Sequence, residues 1–252
     1  MTDVLKAENI SKSFGMLNAL DEVSLTVQEK TLTILIGPNG SGKTTLINVI
    51  MGYHKPDSGT VSYRGKDITG WKPHKIYRLG LARTFQIPSL FWKLTVLENL
   101  QVAGKDNPGE SFLKSILQRS WAKAEEETTR KAFGLLEILG LEKVWDSQAS
   151  KLSGGQMKLV EIGRALMSDA TVLLLDEPVS GVNPTLAHEI FGKLISLRDK
   201  LGVTFLIVEH RLDIALAYID YVEALAYGKV IARGLPDSVM SDPKLIEAYL
   251  GG

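Results

Sequence analysis

Alternating apolar and polar residues near the N-terminus predict β-strands with one buried face. The two types alternate over residues 23–28, and residues 4–10 form a second strand-like segment. A third segment, residues 59–63, is followed by turn-forming residues 64–66. Because half-buried strands of this kind commonly pair antiparallel, they predict an antiparallel layer beside a main sheet.

Apolar runs and further strand-like segments predict that main sheet. The longest runs are mostly aliphatic, which is typical of parallel strands covered on both faces. The segments are residues 31–36, 81–85, 172–176, 204–208, 221–226 and 229–234. Helical patterns occur at residues 43–51, 73–79, 185–200 and 236–250. Strands that alternate with helices in this way indicate an α/β fold.

A long stretch without strand signals interrupts the alternation. Residues 94–168 carry helical patterns and predict a mostly helical insertion in the α/β core. Within it, Glu126 with Arg130 and Glu127 with Lys131 have the i,i+4 spacing of ion pairs. We interpret these pairs as one solvated helix face.

The composition narrows the class of protein. The chain has 252 residues, enough for a sizeable core, and 29 basic residues balance 29 acidic ones, so net charge gives no indication of a nucleic-acid partner. The absence of cysteine excludes disulfides, thiol nucleophiles and cysteine-ligated metals. No apolar run reaches the roughly 18 to 20 residues of a membrane span, and the N-terminus lacks a secretory apolar segment. If the protein works at a membrane, we expect other chains to hold it there.

A glycine-rich segment between the strand at 31–36 and the helix at 43–51 predicts a phosphate site. Its glycines permit backbone angles that turn successive N–H groups towards an anion, and the helix that follows adds its positive end. Lys43 supplies a charge, and Thr44 supplies a hydroxyl suited to Mg²⁺. The segment, called the phosphate loop below, consists of Gly37, Pro38, Asn39, Gly40, Ser41, Gly42, Lys43, Thr44 and Thr45.

Two carboxylates end the aliphatic run at residues 172–176. Asp176 and Glu177 should point in different directions, because side chains alternate along an extended chain. One carboxylate could then face Mg²⁺ while the other acts as a general base on water. The alternative is a paired acidic strand end without a catalytic role.

Four further features each have a functional and a structural interpretation. Phe14 could stack on a purine base or belong to the core, and Gln86 could meet a ligand or be a solvated loop amide. His210 follows another strand end, where a histidine is often structural. The fourth feature is the signature segment, residues 152–156, a second candidate anion site in which Ser153 can cap a helix. After Leu152 it contains Ser153, Gly154, Gly155 and Gln156.

Taken in their order along the chain, these motifs resemble those of the ATP-binding subunit of ABC transporters. The resemblance covers nearly the whole chain, and the signature segment carries most of its specificity. It implies an α/β fold with a P-loop NTPase core, a mixed sheet, an antiparallel β layer and a helical subdomain. One nucleotide-binding domain would span residues 1–252, with residues 94–168 as its helical subdomain.

The resemblance also implies a partner and cofactors. Two such ATPase subunits, identical or paralogous, form a head-to-tail dimer around ATP and Mg²⁺, with the signature segment of one over the phosphate loop of the other. It further implies one role for each of seven residues: Phe14 stacks on adenine, Lys43 binds the β- and γ-phosphates, Thr44 and Asp176 hold Mg²⁺, Gln86 senses Mg²⁺ and the membrane partner, Glu177 is the catalytic base, and His210 is the switch histidine.

The amino-acid sequences of three short stretches indicate a sub-family. Residues 83–86, 181–184 and 208–213 are most similar to ATPases of branched-chain amino-acid or urea importers, and the ATPase of lipopolysaccharide export is an alternative. Asn183 departs from the family pattern, which commonly has Asp at this position. An amide can still form a hydrogen bond but cannot supply the charge that the carboxylate brings to cross-dimer contacts.

The same resemblance places the subunit at the cytoplasmic face of the cell membrane. Transmembrane permeases would dock on it, and a solute-binding protein would act through them. Leu90, Phe91 and Trp92, in the loop after Gln86, are apolar for a surface loop and form a candidate docking site, with a local core cluster as the alternative. Two other classes are disfavoured. A soluble ABC ATPase acting on ribosomes or DNA is disfavoured by the single phosphate loop, the single signature segment and the lack of a coiled-coil insertion, and a nucleotide-binding regulator without turnover is disfavoured by Glu177 and His210.

Overall fold

The computed structural model describes residues 2–84, 89–105 and 118–250. Two sheets and a set of helices make up this part of the chain. The strands are β1 (Asp3–Phe14), β2 (Leu17–Gln28), β3 (Leu32–Ile36), β4 (Ser58–Tyr63), β5 (Lys66–Asp67), β6 (Leu81–Arg83), β7 (Val172–Asp176), β8 (Thr204–Val208), β9 (Tyr221–Ala226) and β10 (Lys229–Gly234). The α-helices are α1 (Lys43–Ile50), α2 (Pro73–Arg78), α3 (Val96–Gln101), α4 (Gln118–Leu139), α5 (Gly154–Met167), α6 (Pro184–Leu201), α7 (Leu212–Ala215), α8 (Pro236–Met240) and α9 (Pro243–Leu250).

The main sheet is mixed, as predicted. Its strand order is β10-β9-β3-β8-β7-β6, with parallel pairing everywhere except between β9 and β10. Every residue of β3 and β8 is buried, because the sheet is covered on both faces. The loops that follow β3, β7 and β8 therefore leave the same edge of the sheet, where the predicted site residues come next in the chain.

The second sheet is antiparallel, also as predicted, with the order β2-β1-β4-β5. Helix α1 lies between the two sheets, and its Leu46 and Ile50 are fully buried in the core that they share. Strand β1 extends beyond the predicted residue 10 to Phe14. The alternation of residue types is lost there because the pairing register of β1 with β2 shifts after Ala7 and again after Ile10.

Helices α3, α4 and α5 occupy the described residues between β6 and β7 and contact one another. The predicted pair of Glu126 with Arg130 is present, with 2.9 Å between carboxylate and guanidinium. The predicted pair of Glu127 with Lys131 is wrong. Lys131 donates instead to the Met167 carbonyl at the end of α5, 2.9 Å away, and also contacts Asp169. The end of a neighbouring helix therefore binds the Lys131 side chain, which the sequence pattern placed on the solvated face.

A buried carboxyl group on β9 has an altered pKa. The Glu223 side chain lies between strands, with Arg233 Nε 3.7 Å from its Oε2 atom and the Thr26 N–H as a donor. Burial raises the pKa of Glu223 to about 7, and the Arg233 charge opposes this only in part. The native state therefore keeps this proton between about pH 4.5 and 7, where the unfolded chain has lost it.

The free energy of unfolding should consequently fall as the pH rises through this range and level off above it. We expect Glu223→Gln to remove a fall of about 2–3 kcal/mol. Urea unfolding at pH 5 and pH 8 measures the difference, with Glu126→Gln on the exposed face of α4 as the control. Equal pH dependence in the wild type and Glu223→Gln would contradict the assignment.

Candidate functional site

The phosphate loop follows β3 and leads into α1. Its three glycines have positive φ angles, 149° at Gly37, 78° at Gly40 and 105° at Gly42, which agrees with the predicted need for glycine. Two of them are also required sterically, since a Cβ at Gly37 would lie 1.9 Å from the Leu225 carbonyl oxygen and one at Gly42 would lie 2.5 Å from the Ala19 carbonyl oxygen. Gly40 has open space beside it and is needed only for its conformation.

Helix α1 starts at Lys43, directly after the left-handed Gly42. No side chain caps it by a hydrogen bond, so its first N–H groups are available to a ligand at the positive end of the helix dipole. The Thr44 side chain is exposed at this end, and Thr45 is half-buried. The arrangement suits an anion with several oxygen atoms, such as a phosphate chain.

Lys43 is buried within the loop that it follows. Its Nζ atom donates to the carbonyls of Gly37 at 2.7 Å and Pro38 at 2.9 Å. Burial lowers the pKa of Lys43, while the charges of Glu177 and Asp176 oppose the shift. The ammonium group is therefore held at the loop, close enough to the carboxylates at the end of β7 to interact with their charges.

Asp176 ends β7 and forms an ion pair with Arg83 at the end of β6. The Arg83 Nη2 atom lies 2.7 Å from Asp176 Oδ2, and Nη1 donates to the Asn48 amide oxygen of α1 at 2.6 Å. Both charged side chains are largely buried. Sequence reasoning gave Arg83 no role in the site, although an arginine at the end of a predicted strand was the available signal.

Glu177 comes after the strand and not within it. The prediction is therefore wrong to treat Asp176 and Glu177 as neighbours in one extended segment. Its φ angle is 49°, an uncommon left-handed value for a residue with a Cβ. The two carboxylates nevertheless diverge, since Asp176 contacts Arg83 and Glu177 Oε1 lies 3.4 Å from His210 Nε2. Glu177 and His210 are thus brought together, and both are accessible, with 22% and 41% of their side chains exposed.

Glu209 is a structural residue of the site that sequence reasoning missed. Its buried carboxylate accepts hydrogen bonds from the N–H groups of Val179 at 2.9 Å, His210 at 2.8 Å and Arg211 at 3.1 Å. These bonds join the loop after β7 to the loop after β8 and so fix the backbone that carries His210. Its position directly after a buried strand, similar to that of Asp176 at the end of β7, could have identified it.

Phe14 is 44% exposed at the end of β1, so the core interpretation of this residue is wrong. Its ring meets the His54 ring edge to face, with centroids 5.3 Å apart, and Lys12 Nζ lies 5.6 Å from its centroid. An exposed aromatic face of this kind is available for stacking.

The signature segment forms the start of α5. Ser153 caps the helix as predicted, because its Oγ accepts from the Gln156 N–H at 3.3 Å while Gln156 Oε1 accepts from the Ser153 N–H at 2.9 Å. Gly155 packs against α6, where a Cβ would lie 2.3 Å from the Leu186 side chain. Ser153 and Gly154 are exposed, so this helix start faces outwards.

The family model with the description "ABC transporter" matches residues 20–180, which is more than half of the chain. The chain belongs to the ABC transporter ATPase family. Proteins named "Probable branched-chain amino acid transport ATP-binding protein LivG" from Archaeoglobus fulgidus and Methanocaldococcus jannaschii are similar to it. The first is 50% identical and aligns over 98% of this chain and 95% of its own length. The second is 51% identical over 99% and 98%.

Solved structures agree with this ABC family assignment. The ADP conformation of an ATP-binding cassette of an ABC transporter is 50% identical, covers 100% of both chains and has a TM-score of 0.87. A dimeric bacterial ABC transporter cassette is 26% identical, covers 92% of this chain and 98% of its own, and has a TM-score of 0.72. The predicted fold is therefore confirmed, and the chain is a nucleotide-binding ATPase subunit of this family. Among its described residues, none of the helices has the length and apolar character to cross a membrane.

Two further residues, Gln86 and Asn183, bear on the ABC family pattern. Gln86 lies outside the described residues, so its predicted roles stay predictions. Asn183, which replaces the usual Asp, caps α6, since its Oδ1 atom accepts from the Leu186 N–H at 2.9 Å. An aspartate would cap the helix equally well, so the capping role does not explain the amide.

The candidate docking residues divide between core and surface. Leu90 is 5% exposed and belongs to the core on the helical side of the sheet. Phe91 and Trp92 are 47% and 50% exposed, and the Arg164 guanidinium of α5 lies 5.0 Å from the Phe91 ring centroid. The core interpretation therefore holds for Leu90 alone, and the surface left for a partner consists of Phe91 and Trp92.

Proposed function

We propose that this chain is the ATP-hydrolysing subunit of an importer of branched-chain amino acids. The observation that carries the proposal is 50% identity over nearly the full length to a protein named for this transport, and it is supported by the positions of Lys43, Glu177 and His210 at one edge of the sheet. Its relative BraF from Pseudomonas aeruginosa, 34% identical over 98% of both chains, is named for high-affinity transport of the same solutes.

The chain's own residues divide the hydrolysis chemistry among them. Lys43 and the N–H groups of the phosphate loop bind the β- and γ-phosphates, and Phe14 stacks on adenine. Glu177 accepts a proton from a water molecule while the oxygen of that water bonds to the γ-phosphorus. The bond from the γ-phosphorus to the bridging oxygen breaks, and ADP and phosphate leave. His210, 3.4 Å from Glu177, orients the base and donates towards the γ-phosphate.

The donor set near the phosphate loop fits Mg²⁺. The exposed Thr44 hydroxyl and the Asp176 carboxylate, held in place by Arg83, are oxygen donors of the type that this ion takes. Gln86 would complete the set. When bound, the ion neutralises charge that develops on the phosphates.

The nucleotide site is composite in this proposal. The exposed start of α5 would cover ATP bound by the phosphate loop of a second subunit, identical or paralogous, with Ser153, Gly154, Gly155 and Gln156 as the contacting residues. Each nucleotide would then contact both subunits, so binding and dimer closure would be linked. The chain would be one nucleotide-binding domain over residues 1–252, with residues 94–168 as its helical subdomain.

The subunit would act peripherally at the cytoplasmic face of the cell membrane. Permease subunits would dock on the surface from Gln86 to Trp92, and a solute-binding protein would deliver the amino acid to them. Two exposed aromatic side chains, Phe91 and Trp92, give this surface the anchors that protein interfaces commonly use.

Truncation of the Trp92 side chain tests the docking surface. We expect Trp92→Ala to weaken co-purification with the permeases by roughly tenfold or more, as for an interface hot spot. The half-exposed side chain should contribute little to folding, so the change in unfolding free energy should stay below about 1 kcal/mol. Tyr227→Ala, at the exposed β9–β10 turn, is the matched control. A large loss of thermal stability would instead assign Trp92 to the core.

Transport in reconstituted vesicles tests the proposed function. The chain, its permeases and the solute-binding protein should accumulate labelled leucine, isoleucine and valine when ATP is supplied on the side of this subunit. Accumulation of urea but not of these amino acids would show that urea is the transported solute, and ATP-dependent release of lipopolysaccharide would show that the subunit drives export. No phosphate release with Mg·ATP would reject the ATPase role itself.

A further inference from the structure

The loop after β7 holds Glu177 in an unfavourable backbone conformation. A φ of 49° at a residue with a Cβ costs free energy and persists only where surrounding bonds enforce it. The Glu177 N–H donates to the Val208 carbonyl at 2.8 Å, and its carbonyl accepts from the Ser180 N–H at 3.1 Å. These two bonds belong to the strand end and the turn, and a third bond comes from outside both.

The third bond is made by Lys158. This lysine lies on α5, two residues after the signature segment, and its Nζ atom donates to the Glu177 carbonyl oxygen at 2.9 Å. The side chain is half-buried, and burial lowers the pKa of Lys158 while the charges of Glu209, Glu161 and Glu177 oppose that shift. Removal of this ammonium group would take away both a donor and a positive charge from beside three carboxylates.

We propose that Lys158 is a positioning residue for the general base. It holds the left-handed backbone of Glu177, and thereby the carboxylate, in the orientation from which a water molecule is deprotonated. This inference rests on the proposed role of Glu177 and adds to it a residue that acts through the Glu177 backbone. The bond also connects the base to α5, the helix whose start would cover the nucleotide of the second subunit.

A positioning role predicts a specific kinetic change. Lys158→Met keeps the length of the side chain but removes its donor and charge, so the base should be misplaced while the phosphate loop is intact. We expect kcat for ATP to fall about tenfold to a hundredfold, with KM within about twofold of the wild type. Lys158→Arg, which keeps charge and donors, should recover most of the loss.

The chain offers a matched control for this bond. Lys131 Nζ donates to the Met167 carbonyl at the same distance of 2.9 Å, at the other end of α5. Lys131→Met therefore removes a lysine-to-carbonyl bond of the same length, together with the contact to Asp169, at a place remote from Glu177 and should leave kcat unchanged. If Lys158→Met does not fold, as shown by its melting curve, Lys158→Gln removes the charge and shortens the donor's reach to the Glu177 carbonyl, and it should lower kcat with KM unchanged.

The deciding experiment is a double-mutant cycle with Glu177→Gln in single-turnover phosphate release by the full chain. If Lys158 acts through Glu177, Lys158→Met should slow the wild type but cause no further loss in the Glu177→Gln background. The proposal is overturned if kcat of Lys158→Met matches that of Lys131→Met, if KM rises in place of a fall in kcat, or if the two losses multiply. Near-normal turnover by Glu177→Gln alone would overturn the proposed base, and would do so whatever Lys158→Met shows.

Discussion

Glu177→Gln should retain ATP binding and lose turnover by roughly a hundredfold or more, because the amide cannot accept the proton of the attacking water. The substitution keeps the size of the side chain, and the left-handed backbone is held by bonds to Val208, Ser180 and Lys158 that do not involve the carboxylate. ATP that is bound but not hydrolysed should then leave the dimer closed.

Two measurements check this expectation. Phosphate release at saturating Mg·ATP gives the turnover, and light scattering with and without ATP gives the mass of the complex. We expect a dimer in ATP for Glu177→Gln and a monomer without nucleotide. Near-normal hydrolysis by this variant would reject Glu177 as the base, and Glu126→Gln, on the exposed face of α4, controls for loss of a carboxylate elsewhere.

Lys43→Ala should have an effect of similar size by a different route. The variant removes the cation that the loop holds between the Gly37 and Pro38 carbonyls and the carboxylates after β7. Charge-assisted bonds to phosphate contribute roughly 1.5–3 kcal/mol each, so nucleotide affinity should fall by roughly tenfold to a hundredfold as turnover is lost.

Fluorescent-nucleotide titration and phosphate release separate the two effects. Lys143→Ala, an exposed lysine in the helical region, is the control for loss of one positive charge. A melting temperature near that of the wild type is required, since Lys43 is buried and the two loop carbonyls lose a donor. Unchanged affinity together with unchanged turnover would remove Lys43 from the site.

The sequence was sufficient for much of the fold because its patterns are local. A continuous aliphatic run predicted β7, a mostly apolar run predicted β8, and the glycine-rich segment predicted a loop whose positive φ angles and close backbone contacts are present. The signature segment was predicted to start a helix with Ser153 as its cap, and it does.

What the sequence did not predict depends on contacts between distant segments. Glu209 joins loops that follow two different strands, and Lys158 reaches from α5 to the loop after β7. The left-handed conformation of Glu177 occurs where Val208 and Lys158 bond to its backbone from other elements, and a glutamate has no local preference for it. Lys131 likewise binds the Met167 carbonyl and not its predicted partner Glu127, because the end of another helix lies beside it.

The central claim is that one nucleotide contacts the phosphate loop of one chain and the signature segment of another. The chain has no cysteine of its own, so introduced cysteines are the only reactive thiols. Asn39 and Ser153 are both exposed, and they lie in the two halves of the proposed site. Asn39→Cys and Ser153→Cys can be made in separate chains of the Glu177→Gln variant and mixed, so that any link between these two positions joins two chains.

Cross-linking of this mixture with a short thiol-specific reagent is the most direct measurement. The account predicts a covalent dimer of the two chains with ATP, little without nucleotide, and none when Lys143→Cys replaces Ser153→Cys. An ATP-stabilised dimer, detected by light scattering, in which residues 39 and 153 are never linked would contradict the composite site.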